Sequence, residues 1–435
     1  MISRKDLCNG DKVKSIKALP SNSASPSDTW IVNYKEEMAL NYRLFNLTIT
    51  YEKAFVKVFF TDGDNTFMYS EYGAATWALK YEGEFYTQIT NPLVLSGMCP
   101  YFVTCYGMST ECRWYNILGM LQDKLEGATL SETQLENNLE RNAVFMLFPD
   151  AGERPALSTT DDKIFKRLPR TELHSYKYGM IMTQEMSDAV PYYNWLNSRA
   201  KSDMESEVGI DILLVLFQIA IACYALYLSG ATHNDLHNGN IFVKETNPPK
   251  PVIYEIGGEI YRFTTEWVPY LYDFDRSYAE SLGENIFLDE ADDYKVSFQN
   301  RIAPNRDFIK SCCHLVRSSR VWNKFVKSVI CHPGHEDKFE RVLDRRCNMV
   351  AEDGDEFPVE WFDEHFNPMP VIIDALYKEY IRLSGSQSEE RVDPADLHFL
   401  NPKLFADKGR RHKLNFDVKE SIAYLSELQT KYAKM

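Results

Sequence analysis

No CxxC pair occurs among the nine cysteines of this 435-residue chain. They are scattered and odd in number, and the adjacent Cys312 and Cys313 are poorly placed to bridge each other. That pattern suggests a reducing, cytoplasmic setting and no zinc site. Positive charge is in deficit: 48 Lys and Arg against 63 Asp and Glu, a net charge of -15. Phosphate neutralisation needs clustered cations, so no direct nucleic-acid binding is expected. The basic runs present, Arg345–Arg346 and Arg410 to Lys413, are short and read as solvated surface. The opening MISRKDLCNGDKVK has no apolar core, so no signal peptide is expected. No repeat period is visible. Glycine is missing altogether between Gly10 and Gly63, so no glycine-rich phosphate loop precedes the first long apolar strand.

What remains is an ordinary globular composition, 44% hydrophobic and 26% charged. The length exceeds one small core, so two lobes are expected. Short β-branched and aromatic runs mark strands at 13–19, 30–36, 46–52, 54–60 and 101–107. A helical pattern covers about 70–90, through Trp77, Leu79, Phe85 and Ile89. A strand resumes at 178–186, and helices follow at 191–200 and 204–229. The apolar run from Gly209 to Gly230 is about long enough to cross a bilayer. It contains Asp211 and Gln218 and runs straight into a polar loop, so it reads as a buried core helix, with no transmembrane segment expected. A hairpin turning at Gly257–Gly258 follows, and from 300 onward the pattern is mainly helical, ending in a charged helix near 416–433. The expected fold class is α+β, a strand-rich N-terminal lobe (1–186, with an insertion at about 108–177) and a mainly helical C-terminal lobe (187–435) with a C-terminal extension.

The polar loop HNDLHNGN, His233 to Asn240, carries the chemistry. It places Asp235 and Asn240 five residues apart between an apolar helix and the short strand IFV. An Asp in such a loop can orient or deprotonate an attacking hydroxyl, and an Asn can ligate magnesium on nucleotide phosphates. Downstream, PYLYDFDRS ends an apolar strand in Asp273, a second oxygen ligand of the kind magnesium prefers. Upstream, Lys57 sits in AFVKVFF, where an ammonium in an apolar strand needs an anion. Lys80 in WALK is a rival, but only three residues separate it from Glu84. Glu84 is the preferred carboxylate partner for Lys57, with Glu82 the alternative. Asp307 opens the apolar run DFIKSCCHLV, as a brace for the loop backbone or a plain helix N-terminal acid. The Ser-rich link Ser21 to Ser27 is the candidate substitute for a glycine loop.

These motifs resemble the protein-kinase-like superfamily over roughly residues 13–320. They are most similar to the serine/threonine protein kinases of large DNA viruses, of poxvirus and giant-virus type. The resemblance implies a two-lobed kinase fold and ATP- and Mg2+-dependent phosphorylation of protein hydroxyls. It implies Asp235 as catalytic base, Asn240 and Asp273 as metal ligands, and Lys57 on the phosphates with Glu84 behind it. It places Thr183 to Met186 beside adenine, and implies host cytoplasm or virion as the location. His237 stands where such kinases commonly carry Lys, and reads as a phosphate contact or a packing residue. DLHxGN also resembles aminoglycoside and choline kinases, so a small-molecule acceptor stays open. DFD replaces DFG and no APE motif follows, so a kinase-shaped binding module without turnover stays open too.

Overall fold

In a computed structural model, residues 12–19, 28–42, 45, 47–61, 79–113, 177–199, 208–285, 288, 302, 304–342, 359–385, 392–405 and 416–432 are described. The fold is α+β: an N-terminal antiparallel sheet followed by a more helical C-terminal region. The Ser-rich link at 21–27 and most of the insertion at 108–177 lie outside the described residues.

The strands in chain order are β1 (Val13–Ala18), β2 (Asp28–Tyr42), β3 (Leu47–Thr61), β4 (Cys105–Arg113), β5 (Lys177–Gln184), β6 (Ala189–Pro191), β7 (Ala231–Thr232), β8 (Ile241–Ile256), β9 (Glu259–Leu271), β10 (Tyr278–Ala279) and β11 (Leu397–Leu400). The helices are α1 (residues 79–95, with a π-helical stretch at Tyr86–Thr90), α2 (Tyr192–Arg199), α3 (Ile210–Leu228), α4 (Pro304–Ser318), α5 (Arg320–Ile330), α6 (Glu336–Val342), α7 (Val359–His365), α8 (Met369–Ser384) and α9 (Val418–Tyr432). The chain divides into two compact units, Met1–Gly83 with Thr104–Glu185, and Glu84–Val103 with Met186–Met435.

The first unit is built on a five-stranded sheet in the order β1-β2-β3-β5-β4. The runs at 46–52 and 54–60, read as two strands, are one. Glu52 and Lys53 offer no turn chemistry, so the strand continues, although both are exposed and the buried positions change parity across them, from Tyr51 to Ala54. The irregularity lies instead in β2, whose register shifts between Asn33 and Met38. In β3, Ala54, Val56 and Val58 are buried on one face. Lys57 therefore points to the other face, flanked by Thr29 on β2 and Ile181 on β5. The strand expected at 101–107 begins at Cys105; Phe102 makes only an isolated bridge to Leu271.

The second unit is organised around α3. Its 18-residue apolar window is 83% buried, which fits a core helix. Gln218 is fully buried inside it and donates to the Leu214 and Trp267 carbonyls at 3.0 and 2.9 Å, so its amide crosses to β9. β8 and β9 form a long hairpin over Gly257–Gly258, both with positive φ (61° and 100°). A two-residue turn of that hand matches strand twist, and glycine adopts it without strain. β6 and β11 pair with β8, antiparallel and parallel respectively. Cys99, Cys105, Cys223, Cys312 and Cys331 are buried thiols, whereas Cys313 is disulfide-bonded, which the reading of scattered thiols did not anticipate.

Candidate active site

In the first unit, Lys57 meets a carboxylate. Its Nζ lies 3.1 Å from Oε2 and 3.4 Å from Oε1 of Glu82, with the Glu82 side chain 2% exposed. The partner is thus Glu82 and not Glu84, the preferred candidate. Two residues apart on a helix, the two acids face different directions, and the turn of α1 that carries Glu82 aims it at β3. Glu84 is half-buried and belongs to the other unit. Lys80 is exposed. Thr183 is buried on β5, paired with Phe55 and Cys105. Met186, also buried, opens the second unit, and its carbonyl accepts from the Ala189 N–H.

In the second unit, the loop HNDLHNGN is held at both ends. Asp307 on α4 accepts from the Thr232 hydroxyl at 2.8 Å and from the His233 N–H at 2.7 Å. It is a brace for the loop, not a plain helix acid. His233 Nε2 lies 2.9 Å from the Tyr272 carbonyl. Asn234, at φ 63°, donates its side-chain amide to the Arg276 carbonyl at 3.0 Å. Asn tolerates that left-handed backbone better than most residues because its short side chain bonds locally.

The side chain of Asn240 is oriented by the loop itself. Its Nδ2 donates to the Asp235 carbonyl at 2.9 Å, so Oδ1 is the atom that could serve a cation. The Tyr272 N–H donates to the Asn240 carbonyl at 3.2 Å. The β8–β9 ladder, with Ile241 opposite Leu271, therefore brings Asn240 beside the strand end that carries Asp273. Asp273 itself has φ 67°, and its N–H donates to Tyr86 Oη at 3.1 Å. A non-glycine residue held there is a sign of functional constraint. Phe274 anchors it: fully buried, it stacks on Phe85 at 4.9 Å and contacts Tyr86, Phe102 and His233. One amide oxygen and one carboxylate suit a hard cation that takes its remaining oxygens from phosphate and water. Among the described residues no group of three or more His, Cys, Asp or Glu could hold a metal alone.

Asp235 is surrounded by cations. Oδ1 lies 2.5 Å from Lys310 Nζ, and Oδ2 lies 3.5 Å from an Arg276 guanidinium nitrogen and 3.9 Å from His237 Nε2. Burial pushes the Asp235 carboxyl up, but Lys310, His237 and Arg276 together outweigh it and hold it below the usual value. It is an ionised acceptor at neutral pH. His237 is half exposed. Its Nδ1 accepts from the Gly239 N–H at 2.9 Å, so the neutral ring carries its proton on Nε2, towards Asp235. Burial lowers the His237 pKa, with Asp235 pulling the other way. A Cβ on Gly239 would lie 2.6 Å from His237 Cε1, so the ring can fold over the loop only because residue 239 is glycine.

No protein-family model and no curated protein matches the chain. Among solved structures, the chain is similar to WaaP in complex with acyl carrier protein, at 10% identity and a TM-score of 0.31, over 88% of this chain and 96% of that one. A likeness that slight says nothing of chemistry; what the chain can do is decided by its own side chains.

Sequence reasoning missed Lys310 and Arg276. A signal for Lys310 existed: a lysine one turn after Asp307 in an apolar helical run has the same burial problem that singled out Lys57. Arg276 follows the DFD motif with no such mark.

Proposed function

We propose that this chain is a magnesium- and ATP-dependent kinase of the protein-kinase-like superfamily. Its acceptors are Ser and Thr hydroxyls of proteins, as in the kinases of large DNA viruses. The observation that carries the reading is the loop geometry. Asp235 is held ionised, while the Asn240 amide is tied to the Asp235 carbonyl and the Asn240 backbone is hydrogen-bonded to Tyr272, the residue before Asp273.

The Mg-ATP complex, when bound, supplies the electrophilic γ-phosphoryl group. Asn240 Oδ1 and the Asp273 carboxylate are the cation ligands. The Lys57 ammonium, fixed by Glu82, neutralises phosphate oxygens. Asp235 would accept the hydrogen bond of the acceptor hydroxyl, aim its oxygen at phosphorus, and receive its proton as the new P–O bond forms and the bond from the γ-phosphorus to the bridging oxygen breaks, with ADP leaving. As a weak base held ionised, it serves mainly by orientation before bond formation. His237 Nε2–H is a donor to a phosphate oxygen. Thr183 and Met186 line the adenine position through backbone atoms.

His237 in place of Lys does not decide between acceptors and keeps open a second reading, a small-molecule kinase. Both are tested by incubating purified protein with Mg-ATP and casein, a basic protein, aminoglycosides or choline. Label on protein supports the first; label on the small molecules alone replaces it with the second. A folded protein that neither binds Mg-ATP nor labels anything overturns both. Asp235→Asn and Asp273→Ala are expected to lower transfer at least about 100-fold.

A further inference from the structure

We propose that Lys310 is the positioning residue for Asp235: it anchors Oδ1 from helix α4 and so reserves Oδ2 for the acceptor hydroxyl. The inference rests on the reading of Asp235 as the catalytic carboxylate. The two oxygens of Asp235 have unequal company. Oδ1 is in a 2.5 Å contact with the Lys310 ammonium, whose side chain is 6% exposed. Among the described residues, Oδ2 has the longer approaches of Arg276 and His237, whose side chains are 29% and 49% exposed. The oxygen in close contact with the buried ammonium is fixed, and the one with the longer contacts is left for the acceptor.

Lys310 occupies an expensive position. It lies on α4 among the buried Phe308, Ile309, Cys312 and Cys313. A buried ammonium is tolerated only with a close counter-charge, and removing one member of such a pair is strongly destabilising. Apolar residues would pack the helix with less penalty, so the charge has a use at Asp235. Asp307 lies three residues earlier, on the same face of α4. One rigid helix thus grips the loop twice, Asp307 by the His233 N–H and Lys310 by the Asp235 side chain. Position 237 does not supply this anchor. The imidazole is committed to the Gly239 N–H through Nδ1, and Nε2 stays 3.9 Å from Asp235. A helix also holds geometry more tightly than a loop does.

The test compares wild type with Lys310→Met, Lys310→Arg, Asp235→Asn and Lys310→Met/Asp235→Asn in the full chain. Phosphate transfer and the KM for ATP are both measured. Lys310→Met is expected to lower kcat about 100-fold while the KM for ATP stays within about threefold. Because Lys310 acts through Asp235, the double variant should be no slower than Asp235→Asn alone. A Lys310→Met enzyme with kcat within about threefold of wild type overturns the proposal, as does a double variant showing the product of the two single losses. A rise in KM with kcat intact also overturns it, since it would place Lys310 on the nucleotide. If Lys310→Met does not fold, Lys310→Arg decides: kcat of at least about a tenth of wild type supports the anchor, and a rate as low as Asp235→Asn overturns it. Inactive wild type removes the kinase reading and this one together, whereas active wild type with active Lys310→Met removes this one alone.

Discussion

Replacing Asp307 tests whether one carboxylate holds the loop. Asp307→Ala removes the acceptor of two hydrogen bonds, from the Thr232 hydroxyl and the His233 N–H. Both donors are on buried residues, His233 at 0% and Thr232 at 1% exposure, so water does not readily replace the oxygen. A hydrogen bond to a charged acceptor contributes about 1.5–3 kcal/mol, and an orphaned buried donor costs about 1–3 kcal/mol. The two donors share one oxygen, so their losses do not simply add. The expected destabilisation is about 4 kcal/mol, a melting shift of roughly 10 °C for a unit of this size. Asp307→Asn keeps an acceptor without the charge and should cost about half as much. Thr232→Val deletes one bond and should cost about 1 kcal/mol. Denaturant unfolding followed by the fluorescence of buried Trp195 and Trp322, both in the second unit, reads the difference. Transfer activity should fall in parallel, because a displacement of the loop by about 1 Å costs on the order of 100-fold. Asp307→Ala with stability within about 1 kcal/mol of wild type would refute the bracing argument.

Further expectations concern separate sites. Glu82→Gln should raise the KM for ATP roughly tenfold, while Glu84→Gln leaves it unchanged; steady-state kinetics of the two variants discriminate the partners of Lys57. Gly239→Ala forces the His237 ring away and should lower kcat about tenfold with little change in melting temperature; equal activity would show that the ring's place is incidental. Gln218→Leu removes one of the two donors to the Trp267 carbonyl, leaving the Thr265 hydroxyl at 2.7 Å, and should cost about 1 kcal/mol, read by chemical denaturation. His398 is buried neutral, and burial, opposed by its bond to the Gly97 carbonyl, lowers its pKa to about 4. Its folded pKa lies below the unfolded value, so it contributes full stability above about pH 6.5 and loses it as pH falls towards 4, up to about 3 kcal/mol. Stability profiles of wild type and His398→Gln should diverge in that window; parallel profiles would refute it.

The loop, the DFD strand and the lysine strand were legible because each combines a polar residue with an apolar neighbourhood, a contrast that a sequence displays directly. The apolar helix 210–228 and the Gly257–Gly258 hairpin were legible for similar reasons: length in one, turn chemistry in the other. The choice between Glu82 and Glu84 was not. It depends on the rotation of one helix against a strand, which two acids in the same turn do not encode. The continuity of β3 was obscured by the charged Glu52–Lys53 pair, both exposed, across which the buried positions change parity from Tyr51 to Ala54. Lys310 and Arg276 act on Asp235 from 75 and 41 residues away in sequence, a distance over which no local pattern reports contact.

The pairing of β11 with β8 has a consequence for the far end of the chain. Leu397–Leu400 lies parallel to Ile253–Ile256, and α9 covers it, with Tyr424 bonded to Glu255. Cutting the chain before residue 392 would strip that flank of the hairpin and leave its N–H and C=O groups as an open template for a neighbouring molecule's strand. A shortened protein trimmed to the catalytic motifs alone is therefore expected to self-associate, and β11 with α9 acts as the cover that keeps the second unit's sheet closed to other chains.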